Sequence, residues 1–202
     1  LGQKLISNYE TQFILGDPPN YEPGKEDSIA ALAETKGVSE LEVIYDEFLK
    51  NEGTNLVYAC FTPYDNHKLD FVERAYSLKS SVAGGSDGGA HCGLICDASM
   101  PTTNLSHWAR DREAGKKIPI ELIVRKQTKD TAETYGLFDR GEIKTGMMAD
   151  LNIIDFENLN VTHPKMVYDL PMGGRRLIQN SFGYLATVKS GEVVYESGEA
   201  TG

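Results

Sequence analysis

Cysteine is scarce in this chain, with Cys60, Cys92 and Cys96 alone among 202 residues. So few thiols, odd in number, exclude the disulfide framework of a small secreted domain and agree with a reducing compartment, so the cytoplasm is the expected location. No apolar run approaches the roughly 18 residues needed to cross a bilayer, and the opening residues lack a signal-peptide layout, so no membrane partner is expected. A basic patch is missing too: Arg110, Arg112, Lys116 and Lys117 are interleaved with Asp111 and Glu113. With 20 Lys and Arg against 30 Asp and Glu, the net charge of -10 repels phosphate backbones, so no nucleic-acid partner is expected. Internal repeats and low-complexity stretches are absent, and hydrophobic residues make up 40%, enough for a packed core. The first residue is Leu1 rather than Met, and the expectation is that it is not the natural start.

The texture that is present changes near residue 140, from alternating helices and strands to short strands with turns. Residues 1–23 hold Gly16, Pro18, Pro19 and Pro23, which predicts irregular loop after one short element. Asp27 or Ser28 can cap a helix through Ile29, Ala30, Leu32 and Ala33. Ser39 and Glu42 have capping-box spacing before Leu41, Ile44, Tyr45, Phe48 and Leu49. The run NLVYACF at 55–61, helical periodicity at 68–78 and a second strand at 81–85 predict a βαβ unit with a parallel pair. Such a pair must be covered on both faces, and the chain supplies few other parallel strands. Pro119 opens a helix running through Tyr135, with Gly136 at its C-terminal cap. Strands at 149–156, 183–189 and 192–196 follow, with Ser190 and Gly191 making a tight hairpin, so a small antiparallel layer is expected.

The densest chemical signal is Gly84-Gly85-Ser86-Asp87-Gly88-Gly89-Ala90-His91-Cys92, placed where a strand is predicted to end. In α/β folds that is the active edge, and Asp87 there could act as general base or metal ligand. An Asx turn would account for the same residues. No phosphate-loop pattern is present, because neither G-x-G-x-x-G nor a Walker lysine occurs. His91, Cys92 and Cys96, with Cys60, could in principle complete a zinc site, although the spacing matches no common zinc motif and buried inert thiols are the usual outcome. His67, His107 and His163 are isolated. Arg110 and Arg112 could hold a substrate carboxylate, or simply pair with Asp111 and Glu113.

Residues 131–155, TAETYGLFDRGEIKTGMMADLNIID, resemble the signature that closes the barrel and begins the C-terminal β-sandwich in amidohydrolase-superfamily enzymes. Residues 84–112, GGSDGGAHCGLICDASMPTTNLSHWARDR, with PIELIVRKQTKDTAETYGL and DLPMGGRRLIQ, look like the D-aminoacylase (N-acyl-D-amino-acid deacylase) branch. The resemblance runs from about Gly16 to the end. It implies an α/β fold: the C-terminal fragment of a (β/α)8 metallo-hydrolase barrel over residues 1–139, then a small antiparallel β-sandwich segment over 140–202. It implies one or two divalent metals, usually zinc, and a catalytic aspartate at the eighth strand tip, which Asp87 matches as proton shuttle and metal ligand. The other family ligands, an H-x-H pair, a cysteine or carboxylated lysine and two histidines, have no counterpart here. Where D-aminoacylases often carry His-Pro-Arg, this chain has Met100-Pro101-Thr102-Thr103.

The expectation is therefore metal-dependent hydrolysis of a non-peptide amide by an intact parent protein, with an N-acyl-D-amino acid as substrate. Asp87 is the catalytic residue, Gly88, Gly89, His91, Arg110 and Arg112 are candidates for substrate binding, and the 202-residue chain alone is expected to be inactive. The rival is a non-catalytic folding or interaction module that self-associates or pairs with a separate N-terminal half, driven by exposed strand edges and apolar faces.

Overall fold

The computed structural model describes residues 7–60, 64, 66–86, 88 and 92–202. The chain divides into two compact units, one ending at Asp70 and the other beginning at Phe71.

In the first unit, strand β1 (Gln12–Ile14) pairs antiparallel with β2 (Val57–Ala59), Phe13 lying opposite Tyr58. Helix α1 (Ile29–Lys36) starts at Ser28, whose hydroxyl accepts the Ala31 N–H at 3.2 Å. It stops at Gly37, at φ +67, a left-handed conformation that lets the Gly37 and Val38 N–H groups close back on the last turn. Helix α2 (Glu40–Phe48) is capped in the same way by Ser39, which accepts the Glu42 N–H at 3.3 Å. Two clusters form the core here. Ile29, Ala33 and Val43 make one, and Phe13, Cys60 and Tyr64 the other, with Phe13 and Tyr64 in edge-to-face contact at 5.9 Å.

Helix α2 is amphipathic in an unexpected sense. It turns Val43 and Glu47 inward and leaves Leu41, Tyr45, Phe48 and the following Leu49 exposed. Burial would raise the Glu47 carboxyl, but bonds from Lys50 at 2.6 Å and from the Asn55 amide hold it below the ordinary carboxylate range.

Helix α3 (Asp70–Ser77) leads into the second unit. Beyond it α4 (Met100–Thr103) continues as a π-helix over Asn104–Asp111, and α5 (Ile120–Gln127) and α6 (Lys129–Thr134) meet at Thr128. The tail contains β3 (Leu151–Ile154), β4 (Asn160–Val161), β5 (Lys165–Leu170), β6 (Gly174–Ile178), β7 (Ser181–Phe182), β8 (Tyr184–Lys189), β9 (Glu192–Glu196) and β10 (Glu199–Ala200). A four-stranded antiparallel sheet runs in the order β10-β9-β8-β3, with separate β4-β7 and β5-β6 pairs. The expected tight hairpin is present: Ser190 at φ +53 and Gly191 at φ +87 join β8 to β9, two positive φ values in succession that suit a primed turn.

Three sequence expectations need correction. The run at 55–61 contains a strand, but its partner is β1 and the pairing is antiparallel. Residues 81–85 form no ladder, so the parallel βαβ unit is not found among the described residues. The helix expected from Pro119 to Tyr135 is broken at Thr128, where φ -118 and ψ -85 leave the helical region and the hydroxyl bonds back to the Val124 carbonyl at 2.7 Å. Gly136 does cap its end at φ +75, with Leu137 N–H reaching the Ala132 carbonyl at 2.8 Å.

Candidate functional site

The sequence directs attention to residues 81–112, in the second unit. Asp87, Gly89 and His91, the catalytic candidate and two of the substrate-binding candidates, lie outside the described residues. Lys126, on the last turn of α5, is 3% exposed, and its ammonium donates to the Leu78 carbonyl at 2.7 Å and to the Ser81 carbonyl. Its remaining hydrogen faces Asp130 on α6 at 3.5 Å. The Thr131 hydroxyl sits 2.7 Å from the Lys126 carbonyl and 3.2 Å from the Ala83 carbonyl, and the Ala83 N–H points back to the Lys126 carbonyl at 3.4 Å. Residues 78–83 are thus held where α5 meets α6, by side chains instead of a strand ladder.

The glycines that follow leave room. A methyl group added at Gly84 or Gly85 would meet nothing within 4 Å, and one at Gly88 would meet only the Ala98 side chain at 3.9 Å. That open space is what close approach of a ligand to backbone requires. Cys92 accepts the Leu177 N–H at its carbonyl, 2.8 Å away, which ties the far end of the loop to β6. Burial, then the neighbouring Asp97 and Cys92, push the Cys96 thiol up, and burial does the same to Cys60, so both remain protonated near neutral pH. Among the described residues no group of three or more His, Cys, Asp or Glu could hold a metal ion. The described donors therefore do not by themselves fit a zinc site.

The two arginines are committed within the fold. Arg110 uses all five of its N–H donors: Nε and one Nη2 hydrogen go to the Asp111 carboxylate at 2.6 and 2.7 Å, and the other Nη2 hydrogen to the Leu159 carbonyl at 2.9 Å. The two Nη1 hydrogens go to the Phe156 and Glu157 carbonyls. Bonding to Asp111 also pushes its guanidinium pKa up. A substrate carboxylate could reach Arg110 only by displacing one of these partners. Arg112 is 1% exposed, donates to the Lys116 carbonyl at 2.8 Å and stacks over Trp108. Neither presents the open fork that bidentate carboxylate recognition uses.

Sequence reasoning missed Lys126 and Thr131. A lysine in the last turn of α5, one turn on from the buried Ile123, was a legible signal, since a buried lysine must find acceptors.

The amidohydrolase family profile matches residues 23–195. The chain belongs to the amidohydrolase family. Three solved structures of D-aminoacylase are similar to it, each at 22% identity and each covering 95% of this chain and 36% of the other. One is described as defining a novel subset of amidohydrolases, at a TM-score of 0.48. A second addresses the functional role of its binuclear metal center, and the third is a mutant in complex with copper chloride, both at a TM-score of 0.47. This amidohydrolase chain thus spans 36% of the length of those solved structures. No curated relative matches the sequence. Among the described residues no helix is long and apolar enough to cross a membrane.

Proposed function

We propose that the chain is the C-terminal portion of a metal-dependent amidohydrolase that deacylates an N-acyl-D-amino acid. Residues 1–139 belong to its (β/α)8 barrel and 140–202 to its β-sandwich. The observation that carries this reading is the family match over residues 23–195, which includes Asp87 and its glycine-rich surroundings. Asp87 takes a proton from the attacking water and returns it to the departing amine nitrogen, so the carboxylate ends the cycle as it began. Gly88, Gly89 and His91 are the candidates for substrate binding. Arg110 and Arg112 are bonded to the Leu159 and Lys116 carbonyls, so a substrate carboxylate would reach either only by displacing such a partner. Asp87 would be one ligand of a zinc ion that would supply Lewis-acid polarisation of the amide; a catalytic zinc needs about three protein ligands, so the others would have to be supplied from outside these 202 residues. The 202-residue chain by itself is inactive, and the protein is cytoplasmic, in keeping with three free thiols.

The test is Asp87→Asn in the intact, metal-loaded protein, assayed on N-acyl-D-amino acids and their L-enantiomers. Loss of a positioned proton shuttle lowers kcat by about 100-fold or more with little change in KM. A kcat unaltered by Asp87→Asn would remove the aspartate from the mechanism.

A second reading, a module that self-associates or pairs with a separate N-terminal half, is favoured by exposed apolar side chains. Leu41 and Tyr45 on α2 and Leu49 just after it follow one another, and Leu151 and Ile153 lie on one face of β3, all open to solvent. Sedimentation velocity separates the two: a monodisperse monomer over a wide concentration range counts against the module.

A further inference from the structure

The proposed mechanism needs a carboxylate held still, and it leaves Lys126 unused. A lysine with 3% exposure is a costly residue to bury, and one that meets the cost finds an acceptor for each of its three hydrogens. Lys126 does so with the Leu78 carbonyl, the Ser81 carbonyl and the Asp130 carboxylate. Two of these three are backbone oxygens on a segment that has no strand partner among the described residues, and Asp87 follows Ser81 by six residues along the chain. Thr131 extends the same arrangement by one step, its single hydroxyl hydrogen shared between the Lys126 and Ala83 carbonyls. Asp130 in turn is fixed by Arg125 at 2.8 Å, so the lysine is anchored on the α5–α6 side before it reaches the loop.

We propose that Lys126, seconded by Thr131, is a positioning residue for the Asp87 loop: by holding the carbonyls of Leu78, Ser81 and Ala83 it sets where the chain enters the glycine-rich turn. The proposal rests on the reading of Asp87 as proton shuttle. Its physical part, the clamp, stands apart from that reading. Cation to carbonyl bonds are short-ranged and directional, so losing them frees the segment without touching the β-sheets of the tail.

Two measurements separate the clamp from the chemistry. In the 202-residue chain, amide hydrogen exchange is followed in Lys126→Met and in Thr131→Val. The clamp predicts that exchange at Ala83, Gly84 and Gly85 accelerates at least tenfold while amides of β8 and β9 keep their rates. Equal rates at residues 83–85 in both variants would overturn it, and Thr131→Val supplies the answer if Lys126→Met does not fold. In the intact metal-loaded protein, Lys126→Met lowers kcat for N-acyl amino acid hydrolysis at least tenfold with KM within twofold, and Lys126→Arg, which can still reach two carbonyls, restores most of it. A merely structural lysine would lower the amount of folded enzyme and leave kcat per folded molecule unchanged, which would overturn the positioning role. If instead Asp87→Asn leaves kcat intact while exchange at 83–85 still responds to Lys126→Met, the clamp is upheld and the proton-shuttle reading falls.

Discussion

The guanidinium carbon of Arg112 lies 4.6 Å from the centre of the Trp108 ring, and both side chains are closed off from solvent. The two residues come from a π-helical turn and its C-terminal cap, and the same turn is closed by the Arg112 N–H on the His107 carbonyl at 2.8 Å and the Ile118 N–H on the Trp108 carbonyl at 2.8 Å. A cation desolvated against an indole contributes about 2 kcal/mol, and a charged hydrogen bond to a carbonyl about 1.5–3 kcal/mol. Arg112→Ala removes both and leaves a cavity, so a loss of about 3 kcal/mol is expected in urea unfolding at unchanged m-value. Arg112→Met, which relieves the buried charge while filling the space, costs less. A change within about 0.5 kcal/mol for Arg112→Ala, the behaviour of a surface residue, would show that the stack contributes nothing.

Gly183 is a second position where one atom decides stability. It sits at φ +91 between β7 and β8, and an added Cβ would lie 2.6 Å from the Leu159 Cα and 2.9 Å from the Leu159 nitrogen, both backbone atoms of a fully buried residue. Nothing there can swing aside. Gly191, at φ +87 in the hairpin turn, has the same backbone demand but open space around it. Gly183→Ala is therefore expected to cost about 3 kcal/mol or more, combining strain and overpacking, against about 1 kcal/mol for Gly191→Ala. Thermal unfolding of the two variants checks this, and equal shifts would mean that the close approach to Leu159 relaxes freely.

The pH dependence of stability should run through Asp150. Lys189 bonds its carboxylate at 2.9 and 3.0 Å, the Ser190 N–H at 2.9 Å and Arg140 at 2.9 Å, and these hold its carboxyl below the ordinary value of 3.8. A depressed folded-state value means that the folded protein resists protonation more than the unfolded chain does. The contribution is then complete above the ordinary value and disappears as pH falls through the folded-state value. Asp150→Asn should lower the melting temperature near pH 7 and flatten its dependence below about pH 4, with the wild-type and variant curves converging in acid. Asp139, Asp155 and Asp169 are also held low, by Arg140, Asn158 and Arg176 respectively, so residual acid sensitivity in the variant is expected. Parallel curves would remove Asp150 from the acid transition.

How far these features could be read from the sequence depends on how local their causes are. Ser28 and Ser39 as caps, Gly136 as terminator and Ser190-Gly191 as a hairpin are each set within a few residues, and each was legible. The partner of the 57–59 strand was not, because an apolar run specifies burial and leaves its neighbour open, and the neighbour proved to be Phe13 and its flanks in the proline-rich opening. Residues 81–85 read as a strand by composition, yet the Ser81 and Ala83 carbonyls are taken by Lys126 and Thr131, contacts more than forty residues distant that no local pattern encodes. The β5-β6 hairpin escaped notice because its turn uses Met172 at φ +61, where an unbranched residue adopts a conformation usually assigned to glycine or asparagine. The chemical role proposed for the loop at 84–92 rests on family resemblance alone, since an Asp among glycines also describes an ordinary turn.

Metal content is where the chemistry and the fold can be set against each other on the 202-residue chain alone. Zinc binds tightly when about four donors converge, and a catalytic site keeps three protein ligands with an open position. Cys60 and Cys96 have thiols pushed up by burial, which disfavours the thiolate that zinc requires. On the proposed reading Asp87 would be one oxygen donor, and one donor does not retain an ion through exhaustive dialysis. Elemental mass spectrometry after dialysis against metal-free buffer is therefore expected to find well under 0.1 zinc per chain, on the order of a contaminant. About one zinc held per chain would instead mean that Asp87, His91, Cys92 and Cys96 close a site of their own. Asp87→Asn, Cys92→Ser and Cys96→Ser would then each lower the stoichiometry, and the aspartate would have to be reassigned from a shuttle awaiting its metal to a ligand already holding one.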